Sequence, residues 1–314
     1  MTVAVVFAYH DVGARCLQVL LDRGIRVPLV VTHKDDPREN IWFDSVSQLA
    51  GTHGIRVATP EDPNTDELLQ IITALRPDFI FSFYYRHMLG RPLLDAARLG
   101  ALNMHGSLLP KYRGRAPVNW AVINGERETG ATLHYMVEKA DAGDIVDRQA
   151  VPIHSNDTAL DVFRRVTIAA ADVLSRNLSC LVNGTAPRIA QNQKEASYFG
   201  ARRAEDGRID WGRSAMAIHN LVRGVAPPYP GALSTIAGKP ARVLKTLPQP
   251  TASAPFERPH LFFKKGRTYA QCGDGKVLEI VHLELDGQFL TAGHLANALG
   301  RRHTPLPTAI CEDA

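Results

Sequence analysis

Short apolar runs alternate with segments of helical period through the first half of the chain. VAVVFAY (3–9), VPLVVTH (27–33), IRVATP (55–60), DFIFSFYY (78–85) and ALNMHGS (101–107) have strand length and stop at polar or turn residues. Between them, ARCLQVLLDRG, SVSQLAGTHG, DELLQIITALRP and LLDAARLG space their apolar residues three and four apart. That spacing predicts helices, the first of them closed by Gly24. Strands and helices in alternation build βαβ units. The prediction is an α/β fold with a Rossmann-like, doubly wound parallel sheet, DFIFSFYY as a central strand and IRVATP at an edge.

Beyond residue 117, VNWAVINGERETG has the texture of a helix, and ATLHYMVEKADAGDIVDRQAVPI that of two extended segments around an ADAGD turn. A long helix is predicted over roughly 157–182, and NGTAPRIAQNQ then reads as a linker. From about residue 205 the pattern changes to short strands broken by Pro and Gly turns, which predicts a smaller β-rich domain, a barrel being one closure of such strands. RIDWG and NLVRGVAPPYPGAL read as structural, with Trp211 expected to pack at a domain junction and no role assigned to Asn220 or Arg223.

Composition adds bounds rather than detail. A chain of 314 residues exceeds the roughly 100–200 of a typical domain, so two domains are expected. With 45% apolar and 22% charged residues the chain is neither fibrous nor disordered. The net charge of +4 suits an anionic substrate and does not by itself imply nucleic acid. Cys16, Cys180, Cys272 and Cys311 form no CxxC pair, so no disulfide framework and no metal site are expected, and a reducing compartment is. The N-terminal MTVAVVFAYHDVG lacks a charged leader and is too short to span a bilayer. A cytoplasmic location without membrane association is therefore expected.

The candidate chemistry begins at NMHGSLLPKYRGRAP (103–117). On a strand, residues two apart share a face, so Asn103 and His105 project together from the carboxyl end of ALNMH, where open α/β sheets bind ligands. An Asn amide can donate to a developing oxyanion, and an imidazole can take a proton near neutral pH. Asp141, on the ADAGD turn, is a candidate to orient the imidazole and favour its charged form. Taken singly, His105 could be a structural histidine, and Asn103 and Asp141 could be turn residues. No GxSxG elbow marks a protein nucleophile, so the attacking atom is expected to belong to the substrate. Lys111, Arg113 and Arg115 form either an anion-binding wall or a solvated basic turn.

The stretch from Asn103 to Val146 resembles the formyltransferases that use 10-formyltetrahydrofolate: Asn-x-His, then Ser-Leu-Leu-Pro-x-x-Arg-Gly, then Asp in an ADAGDI turn. FAYHDVG, FSFYYRH, SYFGARRAEDGRIDW and VRGVAPPYPGA extend the resemblance over nearly the whole chain. They are similar to one branch, the formyltransferase domain of the bifunctional polymyxin-resistance enzyme, which formylates UDP-4-amino-4-deoxy-L-arabinose. The resemblance implies His105 as general acid/base, Asn103 as oxyanion stabiliser and Asp141 as support for protonated His105. It places the folate donor against His87, Met88, Leu89, Arg115 and the run Val137, Glu138, Lys139, Ala140 and Asp141. It also implies an OB-like C-terminal barrel, and hence a formyltransferase catalytic domain over 1–184, a linker over 185–204 and the OB-like domain over 205–314. The implied partners are the folate donor and a nucleotide-linked amino sugar, whose 4-amino group would attack the formyl carbon. A fused NAD-dependent decarboxylase would need a few hundred further residues and is not expected here. Free-standing relatives formylate other nucleotide-linked amino sugars, so the sugar stays open, as does the oligomeric state.

Three other readings fit the sequence less well. A methionyl-tRNA formyltransferase would carry a Lys/Arg-rich loop after the second strand, whereas THKDDPRENIWFDSVSQ offsets Lys34 and Arg38 with acids. An RNA-binding module could use GARRAEDGR, FKKGR and GRRH, but aromatic stacking residues are sparse there. A dinucleotide oxidoreductase would need GxGxxG, and AYHDVGARC has one Gly. His10 and Asp11 lie in that turn, and Asp11 is expected to cap the next helix. Tyr84, Tyr85 and Arg86 end a central strand, where rings could flank a flat ligand and Arg86 could meet a diphosphate.

Overall fold

In the computed structural model, which describes residues 1–34, 40–253, 256–290, 292–300 and 303–308, the first elements follow one another as alternating strands and helices. They are β1 (Val3–Ala8), α1 (His10–Asp22), β2 (Arg26–Val31), α2 (Val46–Thr52), β3 (Arg56–Ala58), α3 (Asp66–Ala74), β4 (Phe79–Phe83), α4 (Arg91–Asp95) and β5 (Gly100–His105). Then come β6 (Arg113–Gly114), α5 (Pro117–Ile123), β7 (Glu128–Tyr135), β8 (Ile145–Pro152), α6 (Ala159–Val182) and β9 (Tyr198–Phe199). The main sheet has the order β3-β2-β1-β4-β5-β7-β8. Its first five strands pair in parallel, as predicted, and β7 and β8 add an antiparallel edge.

Burial explains the order. Every residue of β4 is buried, which suits a strand covered on both faces, while three-residue β3 lies at the edge. Val5, Phe7, Leu29, Val31, Ile80 and Ala101 from four neighbouring strands pack with Leu68, Ile72, Leu93 and Leu94 from the helices into one core. Fully burying such a side chain contributes roughly 1.5–3 kcal/mol.

Two local expectations are corrected. The helix expected over VNWAVINGERETG stops at Ile123, because Gly125 turns left-handed (φ +73°) and its N–H and that of Glu126 return to the carbonyls of Val122 and Ala121. Residues from Glu128 onward are already strand. Asp11 does not cap α1; Tyr9 holds the cap position, and the Asp11 carboxylate accepts the Asp44 N–H at 2.7 Å.

The chain divides into two units: residues 1–117, 128–152 and 163–200, and residues 118–127, 153–162 and 201–314. In the second, α7 (Ala215–Gly224) accompanies strands β10 (Ala232–Ile236), β11 (Lys239–Ser253), β12 (His260–Lys264), β13 (Arg267–Gln271), β14 (Lys276–Leu285) and β15 (Gln288–Leu290), helix α8 (Ala292–Leu299) and β16 (His303–Pro305). The strands form an antiparallel sheet in the order β10-β11-β14-β13-β12-β16, with β15 on β14, an open half-barrel among the described residues. Trp211 lies fully buried in this unit's own core and donates to Ser234 Oγ at 2.9 Å. Arg223 ties Asn220 Oδ1 to the carbonyls of His154 and Asp157, a structural use of both residues.

Candidate active site

Strand β5 ends at the carboxyl edge of the sheet, and its alternation sends Asn103 and His105 to one side. The chain then enters a loop clamped from β7. Thr132 Oγ1 donates to the Ser107 carbonyl (2.6 Å) and accepts from Leu109 N–H, while Ser107 Oγ donates to Lys111 O. The Ser107 hydroxyl is thus spent inside the loop rather than offered as a nucleophile.

Asp141 comes from the turn between β7 and β8, and it takes a left-handed backbone (φ +53°), a costly conformation for a non-glycine residue. Gln191 holds that turn by donating Nε2 to the carbonyls of Asp141 (2.8 Å) and Gly143 (2.6 Å). The turn carries the carboxylate into the group on β5. Asp141 Oδ1 lies 3.5 Å from His105 Nδ1 and accepts from Asn103 Nδ2 at 3.3 Å, and Oδ2 accepts the Gly114 N–H at 2.8 Å. Gly114 can meet it because it is glycine: φ is +96°, and a Cβ there would come within 2.3 Å of the Phe199 carbonyl.

The three residues singled out for catalysis therefore converge, and a fourth joins them. His134, on β7 opposite Asn103, places Nε2 3.0 Å from Asn103 Nδ2 and 3.5 Å from Asp141 Oδ1. Sequence reasoning passed over it, although a histidine inside the apolar run ATLHY is a buried polar group in need of a partner. Burial works against ionisation of Asp141. The attraction of His105 when its ring is protonated comes first among the contacts, the Gly114 N–H included, that outweigh burial and hold the carboxyl well below the usual carboxylate range. The second nitrogen of His105, Nε2, lies 2.7 Å from the Tyr112 carbonyl. A carboxylate and a carbonyl thus face its two nitrogens, an arrangement that accommodates the imidazolium.

Neither reading of Lys111, Arg113 and Arg115, an anion-binding wall or a solvated basic turn, describes all three. Tyr112, Gly114 and Ala116 are all left-handed, which breaks the alternation and sends the three cations apart. Arg113 is fully buried and donates to Gln191 Oε1, Gln193 Oε1 and Tyr198 Oη. Arg115 donates to the Arg86 carbonyl at 3.1 Å. Lys111 lines a cavity of about 390 Å³ with Glu128, Arg148 and Glu195.

Residues 1–178 match the family model described as formyl transferase, and residues 202–299 match its C-terminal domain. The chain belongs to the formyl transferase family. The match to the first of these covers more than half of the chain and every residue of the converging group. Among solved structures, this formyl transferase is similar to the N-formyltransferase from Helicobacter canadensis, solved with folinic acid and dTDP-3-aminofucose. Identity is 21%, coverage 89% of this chain and 99% of that one, and the TM-score 0.72. WlaRD, a sugar 3N-formyl transferase solved in the presence of dTDP and 5-N-formyl-THF, matches with 20% identity over 89% and 97% of the two chains and a TM-score of 0.69. A sugar N-formyltransferase from a Shewanella species matches with 18% identity over 76% and 93%, with a TM-score of 0.61. At these identities the likeness is one of fold.

In this formyl transferase, the remaining expected residues lie on two loops, one after β4 and one between β7 and β8. His87 and Met88 are exposed, Met88 by 56%, while Leu89 is buried in the core. Asn64 pins the segment by donating to Met88 O and accepting from Gly90 N–H. Val137, Glu138 and Lys139 are exposed on the way into Asp141, with Ala140 partly covered. An apolar Met88 and Val137 left open to solvent are surfaces that a ligand could cover. Nearer β1, His10 is packed by Phe43, Trp42 and Phe163, its ring stacked on Phe43 at 4.0 Å. Burial, then the charge of Arg86, push its pKa down to about 3 and keep it neutral. Arg86 lies over the Tyr9 ring, and its N–H donates to His33 Nε2. Arg38, in the segment that a tRNA-binding loop would occupy, lies outside the described residues. No group of three or more His, Cys, Asp or Glu among the described residues is arranged to hold a metal ion, and no described helix is long and apolar enough to cross a membrane.

Proposed function

We propose that this formyl transferase moves the formyl group of 10-formyltetrahydrofolate to the amine of a UDP-linked amino sugar, with UDP-4-amino-4-deoxy-L-arabinose as the acceptor. The observation that carries the reading is the convergence of Asn103, His105 and Asp141 around a site whose neighbouring hydroxyl, Ser107, is engaged elsewhere. Such a site can shuttle a proton and stabilise an oxyanion but offers no nucleophile, so the attacking atom is the acceptor's amine.

On this reading the amine attacks the formyl carbon and a donor from Asn103 meets the oxygen as it becomes an anion. His105 takes the proton from the attacking nitrogen, its Nε2 giving up the Tyr112 carbonyl to do so, and returns it to N10 of the folate as the C–N10 bond breaks, leaving the formamide and tetrahydrofolate. Asp141 stabilises the imidazolium formed in between. His87, Met88, Leu89, Arg115 and Val137 to Asp141 would line the donor. Residues 1–184 would be the catalytic domain, 185–204 a linker and 205–314 the second domain. The acceptor assignment is supported by the resemblance of FAYHDVG, FSFYYRH and SYFGARR to the polymyxin-resistance branch. The neighbouring structures solved with dTDP ligands support nucleotide-linked sugars as a class. Lipid A modification and polymyxin resistance, in the cytoplasm, follow as the setting.

The test mixes the protein with 10-formyltetrahydrofolate and, separately, UDP-4-amino-4-deoxy-L-arabinose, a dTDP-linked 3-amino sugar or methionyl-tRNA, and follows tetrahydrofolate release. Turnover with the UDP sugar is expected. Turnover with the dTDP sugar alone would correct the acceptor, and turnover with tRNA alone would overturn the sugar-nucleotide class.

A further inference from the structure

We infer that His134 is a positioning residue: it sets the orientation of the Asn103 carboxamide so that one amide hydrogen stays available to the oxygen of the reacting formyl group. The inference rests on the formyl-transfer reading above and adds a residue to it.

The tautomer of His134 follows from its neighbours. Only 1% of the residue is exposed. Its Nδ1 lies 2.9 Å from the Tyr135 carbonyl, an acceptor, so Nδ1 carries a hydrogen. Its Nε2 lies 3.0 Å from Asn103 Nδ2, a donor, so Nε2 presents its lone pair. A doubly protonated ring could donate to Asp141 Oδ1, but that oxygen is farther away at 3.5 Å, and the new N–H would face the Asn103 amide hydrogens. The closer contact selects the neutral ring.

With Nε2 as acceptor, the carboxamide cannot be turned around. Asn103 Oδ1 in the place of Nδ2 would face both a lone pair and a carboxylate. The two acceptors are also close together. In a triangle with sides of 3.0, 3.3 and 3.5 Å, they subtend about 67° at Nδ2. The two hydrogens of an amide NH₂ diverge by about 120°. That angle lets the two acceptors share one hydrogen, which leaves the other pointing away from them. Asn103 is partly exposed, so that second hydrogen can meet a ligand. Without His134 the amide keeps only its longer contact to Asp141 and loses the partner that fixes its rotation.

Two variants and a spectrum test this. His134→Leu removes the acceptor at similar volume, and His134→Gln keeps an oxygen within reach. The leucine variant is expected to lose at least about tenfold in kcat with KM for both substrates little changed, the glutamine variant to recover most of the loss, and Asn103→Ala to abolish the effect of His134→Leu. An unchanged kcat in His134→Leu, or an equal further loss on top of Asn103→Ala, would overturn the inference. Independently of turnover, ¹⁵N NMR of the wild-type protein should show His134 protonated at Nδ1 and bare at Nε2. Protonated Nε2 sinks the orientation argument. If the wild type formylates no amino sugar, the proposed acceptor fails while the ring-nitrogen spectrum still judges His134.

Discussion

Replacing Asp141 by Asn removes one charge and exchanges one acceptor oxygen for a donor, so Asn103 Nδ2 also loses the acceptor it has at 3.3 Å. The new side chain keeps an oxygen that can accept the Gly114 N–H, now 2.8 Å from Oδ2, so the turn retains that anchor. The carboxylate–imidazole pair is lost. At the 3.5 Å that separates Oδ1 from His105 Nδ1, Coulomb's law with an effective dielectric of about 20 gives roughly 5 kcal/mol of attraction. Only the part that grows as the ring becomes charged on the way to the transition state counts in kcat, and each factor of ten needs about 1.4 kcal/mol. A fall in kcat of about 10²–10³-fold is therefore expected, with KM values moving little. The assay is tetrahydrofolate release at neutral pH with both substrates saturating. A variant that keeps kcat within about threefold of the wild type would refute the reasoning, as would a loss confined to KM.

Further outcomes follow from the same contacts. His105→Ala takes away the proposed proton carrier and should lower kcat by about 10²–10⁴-fold, measured by the same assay. Gln191→Leu strips Oε1 from the fully buried Arg113 guanidinium and two donors from the 141–143 turn. A stability loss of about 2–3 kcal/mol is expected, read as a lower urea midpoint. Because the folded state holds the Asp141 carboxyl below its ordinary value, its contribution to stability is complete above about pH 4 and fades as pH falls further. The difference in urea midpoint between the wild type and Asp141→Asn should accordingly narrow from about pH 6 to about pH 3. A constant difference would mean the carboxylate is not selectively stabilised in the fold.

Much of this could be read from local pattern. Asn103 and His105 share a strand face by parity alone, and the strand-helix alternation gave the parallel part of the sheet. Features that depend on non-local pairing or on backbone hand escaped. The antiparallel edge of β7 and β8 brings His134 opposite Asn103, a register that no periodicity within ATLHY encodes. Lys111, Arg113 and Arg115 looked like one wall because alternate residues share a face only while the backbone stays extended. Three left-handed residues between and after them undo that. The half-barrel was legible as short strands and turns, its open order was not, since pairing partners there lie up to tens of residues apart.

The division of labour in the site follows from which residues are buried. Thr132 clamps the Ser107–Leu109 loop, Arg113 reaches Gln191, and Gln191 grips the turn that presents Asp141. None of these side chains needs to touch a ligand, and each has a partner of fixed geometry. The segments expected to meet the donor are of another kind: His87, Met88 and Val137 to Lys139 stand exposed on loops. A proton shuttle works only when its groups are held to a fraction of an ångström, whereas a binding wall can vary with the molecule it receives. On the proposed reading, formyl chemistry sits on the buried network and donor recognition on the exposed loops, so those loops can vary without moving the proton shuttle.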